Sequence, residues 1–398
     1  MDRSFSRAVE FAGDLIRIPS VSGSEEEVAH RVLRELRELG FDDAWIDEVG
    51  NVIGRVAGTG GGPTVMLSSH LDIVDAGDAA GWEYDPFGGV VADGFLHGRG
   101  AMDIKGPLAI QTYAAAAFLD QRPVGDVIVA HTVYEERGGW GMQHLLEKGD
   151  VRPDAVIIGE STGGDICTGH RGRAELMVEI SGVAGHASAP DRARNPLYCM
   201  GSVLEAIRRF GELLGNDRDP ELGVATAAPT EVRTLPASRN VIPDQAIITI
   251  DWRVLPGWTA DRTISALESF LRDHARLDEG CTLSVRMSTE NQRSYTGLER
   301  ESEMFSPGFL LPQDHPVPQA AAAAAEPFLG RRPHIRPWAF ATDGGHTCGI
   351  HGIPTIGFAP GEERHAHTNR ERLDLADASR VFAAYPSVIA SVQESLAA

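Results

Sequence analysis

Acids and histidines follow directly on short apolar runs in this chain. Val65-Met66-Leu67-Ser68-Ser69 leads into His70-Leu71-Asp72, Val127 to Val133 into Tyr134-Glu135-Glu136, and Val156-Ile157-Ile158 into Gly159-Glu160. Thr355 to Phe358 lies upstream of His365-Ala366-His367. A further acid, Asp103, stands in Gly98-Arg99-Gly100-Ala101-Met102-Asp103-Ile104-Lys105-Gly106, where the glycines imply a tight backbone path entering a helix. In open α/β sheets ligands gather at the carboxyl edge of the strands, so polar side chains repeated at that edge need a chemical reason. Two imidazoles and three carboxylates form a donor set suited to zinc, or to cobalt or manganese, when thiolates are absent. Asp72, two residues past His70, points the same way in an extended segment and can hold the second ring nitrogen. Singly, His-x-Asp reads as a surface pair and Glu135-Glu136 as a solvated turn. Their joint occurrence at successive strand ends is what points to metal chemistry.

The elements that must position these residues can be read from hydrophobic period. Ser24 to Leu39 carries a Ser-Glu-Glu-Glu capping box, apolar residues at Val28, Val32, Leu36 and Leu39, and a stop at Gly40, which predicts a helix. Strand-like runs then alternate with helical stretches up to Ile158, predicting βα units and a largely parallel sheet. From Arg173 to about Val285 the rhythm becomes strand, helix, strands, helix, strand, which suits a small α+β insert. The βα rhythm resumes with Gln319 to Glu326, Thr355 to Phe358 and a last helix from Asp377. The expected fold is therefore α/β: a catalytic domain with a mostly parallel central sheet flanked by helices, formed by 1–172 and 291–398, plus an inserted α+β lid or dimerisation domain over 173–290. Glu299 to Val317 lacks periodicity and predicts a loop.

Composition excludes several classes of function. The chain has 398 residues, 42% of them hydrophobic, enough for two cores. With 36 Lys and Arg against 57 Asp and Glu, its formal charge of -21 repels phosphate backbones and anionic lipid, so neither nucleic acid nor a membrane is an expected partner. No uninterrupted apolar segment marks a secretion signal or a bilayer span, and a cytoplasmic location is expected. Cys167, Cys199, Cys281 and Cys348 lie far apart and read as small buried residues.

Six segments in order, Ser69-His70-Leu71-Asp72, Gly98 to Gly106, Glu135-Glu136-Arg137-Gly138, Gly159-Glu160, Gly185-His186-Ala187-Ser188-Ala189-Pro190 and His367-Thr368-Asn369-Arg370-Glu371, carry a resemblance to a known family. The chain resembles the di-zinc metallopeptidases and deacylases that include acetylornithine deacetylase, succinyl-diaminopimelate desuccinylase, aminoacylase and glutamate carboxypeptidase. The resemblance implies that Asp103 bridges two metal ions, that His70 and Glu160 complete one site, and that Glu136 and His367 complete the other. It makes Glu135 the general base, which takes a proton from a metal-bridged water and later delivers it to the leaving nitrogen. It implies a cis peptide at Asp103-Ile104 and prefers His367 over His365 as ligand. It also implies a homodimer through the lid domain, with His186 reaching the partner's site to steady the oxyanion, and substrate contacts from Asn240 and Arg253. Asn240 can equally be a turn residue before proline, and Arg253 a strand-end ion pair. Where many relatives have Thr-Asp-Ala-Arg, this chain has Thr342-Asp343-Gly344-Gly345-His346; His346 then either takes over a substrate carboxylate or is an ordinary loop histidine. His97, His131 and His170 match no ligand position.

The expected activity is hydrolysis of an amide bond in an N-acyl amino acid or related small molecule. An aminohydrolase acting on an unusual C–N bond is the alternative, supported by the altered Thr342 to His346 loop. A non-catalytic metal- or peptide-binding relative is disfavoured because Glu135 and all five ligand positions are present.

Overall fold

The computed structural model describes residues 3–149 and 151–397. The chain begins with α1 (Arg3–Ile16), α2 (Glu26–Leu39), β1 (Asp43–Ile46), β2 (Val52–Val56), β3 (Val65–His70), β4 (Val90–Ala92), β5 (Phe95–His97), α3 (Lys105–Ala116), β6 (Val127–Thr132), α4 (Trp140–Lys148), β7 (Ala155–Ile158) and β8 (Ile166–Cys167). Next come β9 (Gly172–Ser181), β10 (Gly185–His186), α5 (Leu197–Leu214), β11 (Thr226–Leu235), β12 (Val241–Ile242), β13 (Gln245–Val254), α6 (Ala260–His274), β14 (Thr282–Met287) and β15 (Phe305–Ser306). It closes with α7 (Pro316–Leu329), β16 (Ile335–Arg336), β17 (Thr355–Gly357), β18 (Arg372–Asp374) and α8 (Leu375–Ala397). Two compact units result: Met1–His170 with Gln292–Arg300 and Leu310–Ala398, and Arg171–Asn291 with Glu301–Phe309.

The first unit is built on an eight-stranded sheet in the order β1-β2-β6-β3-β7-β17-β8-β16. β3 runs parallel to both β6 and β7, and β17 parallel to β7, so their carboxyl ends share one edge. These strands are buried on both faces, which explains why they read as continuous apolar runs rather than alternating ones. β1 and β2 add an antiparallel edge to this frame. Helix α1 buries the stripe Phe5, Ala8, Phe11, Ala12, Leu15 and Ile16 at helical spacing and turns Arg3, Arg7, Glu10 and Asp14 to solvent.

The second unit is an antiparallel sheet in the order β11-β13-β9-β14, with β15 pairing the start of β9. Alternate residues of β9 and β13 are buried, and Trp252 packs edge-on to Phe210 of α5 at 4.9 Å. β11 is an open edge and is largely exposed.

Three sequence expectations need correction. The capping box at Ser24 does not form: α2 starts at Glu26, and Glu25 turns its side chain inward, where Oε1 accepts from the Tyr134 amide at 3.3 Å. Gly40 does end the helix in the left-handed conformation, with φ 89°. The segment Glu299 to Val317 is not a plain loop. It holds the strand Glu299–Glu303 and β15, and its residues 301–309 belong to the second unit. Its strand, Glu-Arg-Glu-Ser-Glu, is polar on both faces and leaves no apolar period to read. Finally, only Cys167 and Cys199 are buried, while Cys281 and Cys348 are partly exposed; all four thiols are free.

Candidate metal centre

The expected ligands of the first unit converge. His70 ends β3 and Glu160 follows β7 across the parallel sheet. The His70 Nδ1–H donates to the Asp72 carbonyl at 2.8 Å. A carbonyl can only accept, so this bond leaves Nε2 with its lone pair outward. That nitrogen faces Glu160 Oε1 at 3.1 Å and Asp103 Oδ1 at 3.3 Å. His367 sits in the left-handed conformation with φ 58°, and its Nε2 lies 3.1 Å from Glu136 Oε1 and 3.2 Å from Asp103 Oδ2. Asp103 therefore turns one oxygen to each imidazole. The Asp103–Ile104 peptide is cis.

The two acidic neighbours are held by one side chain. Asp72 is fully buried; its Oδ1 accepts from the Glu135 amide at 3.1 Å, and its Oδ2 from the Glu136 amide at 3.2 Å and from Ser22 Oγ at 2.6 Å. Tyr134, with φ 59°, starts this turn. Residues with bulky side chains rarely adopt positive φ, and such strain gathers at functional sites. Asp72 thus orients the Glu135-Glu136 turn as well as His70, and does so for His70 mainly through its carbonyl: the carboxylate is 3.5 Å from Nδ1.

The electrostatics test whether these residues fit metal ions. His70, Asp103 and Glu136 bring ligand atoms within 4.8 Å of one another, as do His70, Glu135 and Glu160. Among the described residues no Lys or Arg forms an ion pair with any of these four carboxylates. Two like charges about 4 Å apart repel by roughly 4 kcal/mol at an effective dielectric of 20, so the cluster needs cations or protons to persist. Burial pushes the Glu135 carboxyl well above the ordinary range, with Glu160, Asp343 and Glu136 adding to the shift and His70 opposing it. Burial and then Asp103 push Glu160 up to about 7. Against burial, the His367 and His70 imidazoles beside it hold Asp103 well below the ordinary range. Hydrogen bonds to Asp103 and Glu136 raise His367 to about 10. Asp103 Oδ1 is buried without a hydrogen-bond partner. Lone pairs aimed at one another around an orphaned carboxylate oxygen are what a cation site requires, and the residues fit two ions.

Other predicted residues are not all in this cluster. His365, two residues before His367, makes none of these contacts. His346 is 6% exposed; its Nε2 lies 3.1 Å from the Gly138 carbonyl and 3.3 Å from Gln143, and burial lowers it to about 4. It is a neutral ring committed to the loop after Glu136, not a cation free for a substrate carboxylate. Sequence reasoning gave no role to Asp343, whose buried carboxylate accepts from Thr132 Oγ1 at 2.9 Å and acts on Glu135 through its charge. Gly139 is what lets this loop close, since a Cβ there would meet His346 at 2.7 Å and Asp343 at 2.8 Å.

In the second unit His186 is exposed on β10, and its Nδ1 accepts from the Ser188 amide at 3.1 Å. Accepting at Nδ1 leaves a proton on Nε2, free to donate. β10 pairs β12 with His186 opposite Val241, and the Asn240 carbonyl accepts from the Ala187 amide, so His186 and Asn240 are neighbours. Arg253 is not among them. It lies eight residues along β13 from Gln245, about 26 Å at the rise of a strand, and is paired with Asp251 at 2.8 Å.

Fold and site together define a metal-dependent hydrolase of amide bonds, and the chain belongs to peptidase family M20/M25/M40, whose model matches residues 66–391. It is 32% identical to the uncharacterized protein YgeY of Escherichia coli K12, over 94% of this chain and 93% of that one. It is 30% identical to succinyl-diaminopimelate desuccinylase 2 of Ruegeria sp., over 85% of this chain and 84% of that one. Among solved structures, the M20 family metallo-carboxypeptidase Sso-CP2 of Sulfolobus solfataricus shares the fold with a TM-score of 0.74 at 17% identity, covering 99% of this chain and 100% of that one.

Proposed function

We propose that this enzyme cleaves the amide of an N-acyl amino acid or a related small molecule at a two-metal site. The observation that carries the reading is the division of the Asp103 oxygens between His70 and His367. His70, Asp103 and Glu160 would hold one ion and His367, Asp103 and Glu136 the other. A donor set of histidines and carboxylates without thiolate favours zinc, with cobalt or manganese as substitutes. The ions, when bound, make water acidic at neutral pH and polarise the amide carbonyl. Glu135, whose Oε2 is 3.9 Å from His70 Nε2, removes a proton from the attacking water and returns it to the departing nitrogen. Asp72 keeps Glu135 in reach by gripping its amide. The desuccinylases among the relatives support an N-acyl substrate. Four free thiols suit a reducing compartment, and we place the enzyme in the cytoplasm; recovery in a secreted fraction would refute that.

The second unit supports a homodimer. β11 is a ten-residue open edge with Val232 49% and Leu235 45% exposed, and α5 beside it exposes Tyr198 to 73%. Long uncovered edges with apolar side chains are templates for pairing with another strand, and a second copy of β11 satisfies this one. In that dimer His186 donates from Nε2 to the developing oxyanion, with Asn240 beside it.

A second reading, an aminohydrolase acting on another C–N bond, is favoured by one observation: His346 replaces the expected arginine and is neutral and occupied. One experiment decides between them. Purified enzyme is stripped by chelation, reloaded with zinc, cobalt or manganese, and assayed against N-acyl amino acids, dipeptides and ureido acids. Metal-restored turnover of N-acyl amino acids supports the first reading, and turnover of ureido acids alone supports the second. Full activity after exhaustive chelation, with no metal by elemental analysis, would sink both.

A further inference from the structure

Glu371 lies four residues past His367 and is 2% exposed. Its Oε1 accepts from the backbone amides of Met102 and Asp103, each at 3.1 Å, and its Oε2 accepts from Arg99 Nη1 at 2.5 Å. Its own carbonyl accepts from the Gly98 amide at 3.4 Å. Arg99 is 3% exposed and lies over the Trp82 ring at 5.0 Å. The loop from Gly98 to Asp103 needs such a hold. Gly98 and Gly100 have φ of 144° and 85°, and the loop's own backbone bonds are two, Ala101 N to Gly98 O and Lys105 N to Gly100 O.

We infer that Glu371 is a positioning residue for the metal centre: by clamping the amides of Met102 and Asp103 it aims the Asp103 carboxylate between His70 and His367. The inference rests on the reading of Asp103 as the shared ligand. Glu371 stands on the same segment as His367 and continues into β18, which pairs β5 in register, Arg372 opposite His97. One carboxylate therefore couples the segment bearing one imidazole to the loop bearing the bridging acid. A carboxylate accepting two amides makes charge-assisted bonds in a buried setting, where the direction of an acceptor is held tightly. A plainer role is that Glu371 only neutralises the buried Arg99, since breaking such a pair leaves an uncompensated charge.

Three variants separate these roles: Glu371→Gln, the double Arg99→Met/Glu371→Gln, and the double Arg99→Met/Glu371→Met. Metal content is read by elemental analysis, affinity by competition with a chromophoric chelator, and folding by the thermal midpoint of the metal-free protein. Glu371→Gln is expected to lose about 10- to 100-fold in metal affinity, the usual cost of losing a partner behind a ligand. The Gln double keeps an acceptor for the two amides without an unpaired guanidinium, and recovers most of that affinity. The Met double does not. Equal, wild-type affinity in both doubles assigns Glu371 to charge neutralisation and overturns the inference, whereas a loss in Glu371→Gln that the Gln double recovers and the Met double does not supports it. Should the doubles fail to fold, Glu371→Asp replaces them. It keeps the charge facing Arg99 but draws the acceptor back from the amides, so the same loss is expected and wild-type affinity overturns the inference. Failure of the underlying reading looks different: wild-type enzyme would bind no metal, or Asp103→Ala would bind as much as wild type.

Discussion

In the first unit nearly every side chain assigned to chemistry is held from more than one side. Asp72 grips two amides and His70 from a position with no solvent exposure, and Glu371 grips the loop of Asp103. In the second unit His186 and Asn240 stand exposed at the short two-stranded β10–β12 ribbon, each held on its side chain by a serine hydroxyl, while the larger sheet of that unit leaves β11 as an open edge. Burial and multiple hydrogen bonds preorganise the first set, which suits groups that bind ions and move protons over fixed distances. Exposure leaves the second set open to solvent, and the proposed second copy would cover it.

The sharpest way to break this contrast is at Glu135. Glu135→Gln is expected to keep both metal ions and lose about 10³-fold in turnover, within the range of a general base, while Glu136→Gln empties one site. Elemental analysis beside steady-state kinetics checks both, and if the metal losses are reversed the two roles have been exchanged.

A somewhat smaller effect belongs to the second unit. His186→Ala is expected to leave metal content unchanged and cut turnover by about 10²-fold, the cost of one oxyanion donor. Mixing His186→Ala chains with Glu135→Gln chains under subunit exchange then restores part of the activity, because one site of each mixed dimer has both residues. If exchange is verified and the mixture stays inactive, the idea that the second unit is completed by a partner is wrong.

The smallest effect lies beneath the first site. His131 stands beside Ser69 in the β3–β6 register and is fully buried, and burial lowers its pKa to about 3. The unfolded chain takes up a proton near 6.5 that the folded chain refuses, so this residue's contribution is intact above about pH 6.5 and is lost as the pH falls toward 3. His131→Gln retains a partner for Thr112 and removes that titration. In metal-free protein its acid-unfolding midpoint is expected to lie about half a pH unit lower than that of the parent. Coincident midpoints, followed by circular dichroism, would show that His131 adds nothing to acid sensitivity.

Much of the site was legible because metal ligands sit at strand ends and strands are legible from local apolar runs. His70, Glu135, Glu136 and Glu160 all follow such runs, and His367 was reached through family resemblance rather than periodicity. The insert was visible as a change of rhythm, although its return segment 301–309 was hidden by polar residues on both strand faces. Glu25 and Glu371 were invisible in their actual roles. Glu25 lay as a spacer within the Ser24 to Glu27 capping box, yet folding turned it inward to the Tyr134 amide, 109 residues away. Arg253 matched a substrate position, yet strand length set it far from Asn240.

What the sequence by itself determined is the inventory of chemistry: which acids and imidazoles are present, in what order, and at the ends of which strands. Period and turn residues act over a few positions, and that range suffices for strands and helices. Only the tertiary structure decided that Asp103 shares its oxygens between imidazoles 33 residues before it and 264 after it, and that Glu371, 268 residues beyond Asp103, holds its amide. Such contacts depend on sheet register and on which buried polar groups find partners, and no local pattern encodes either.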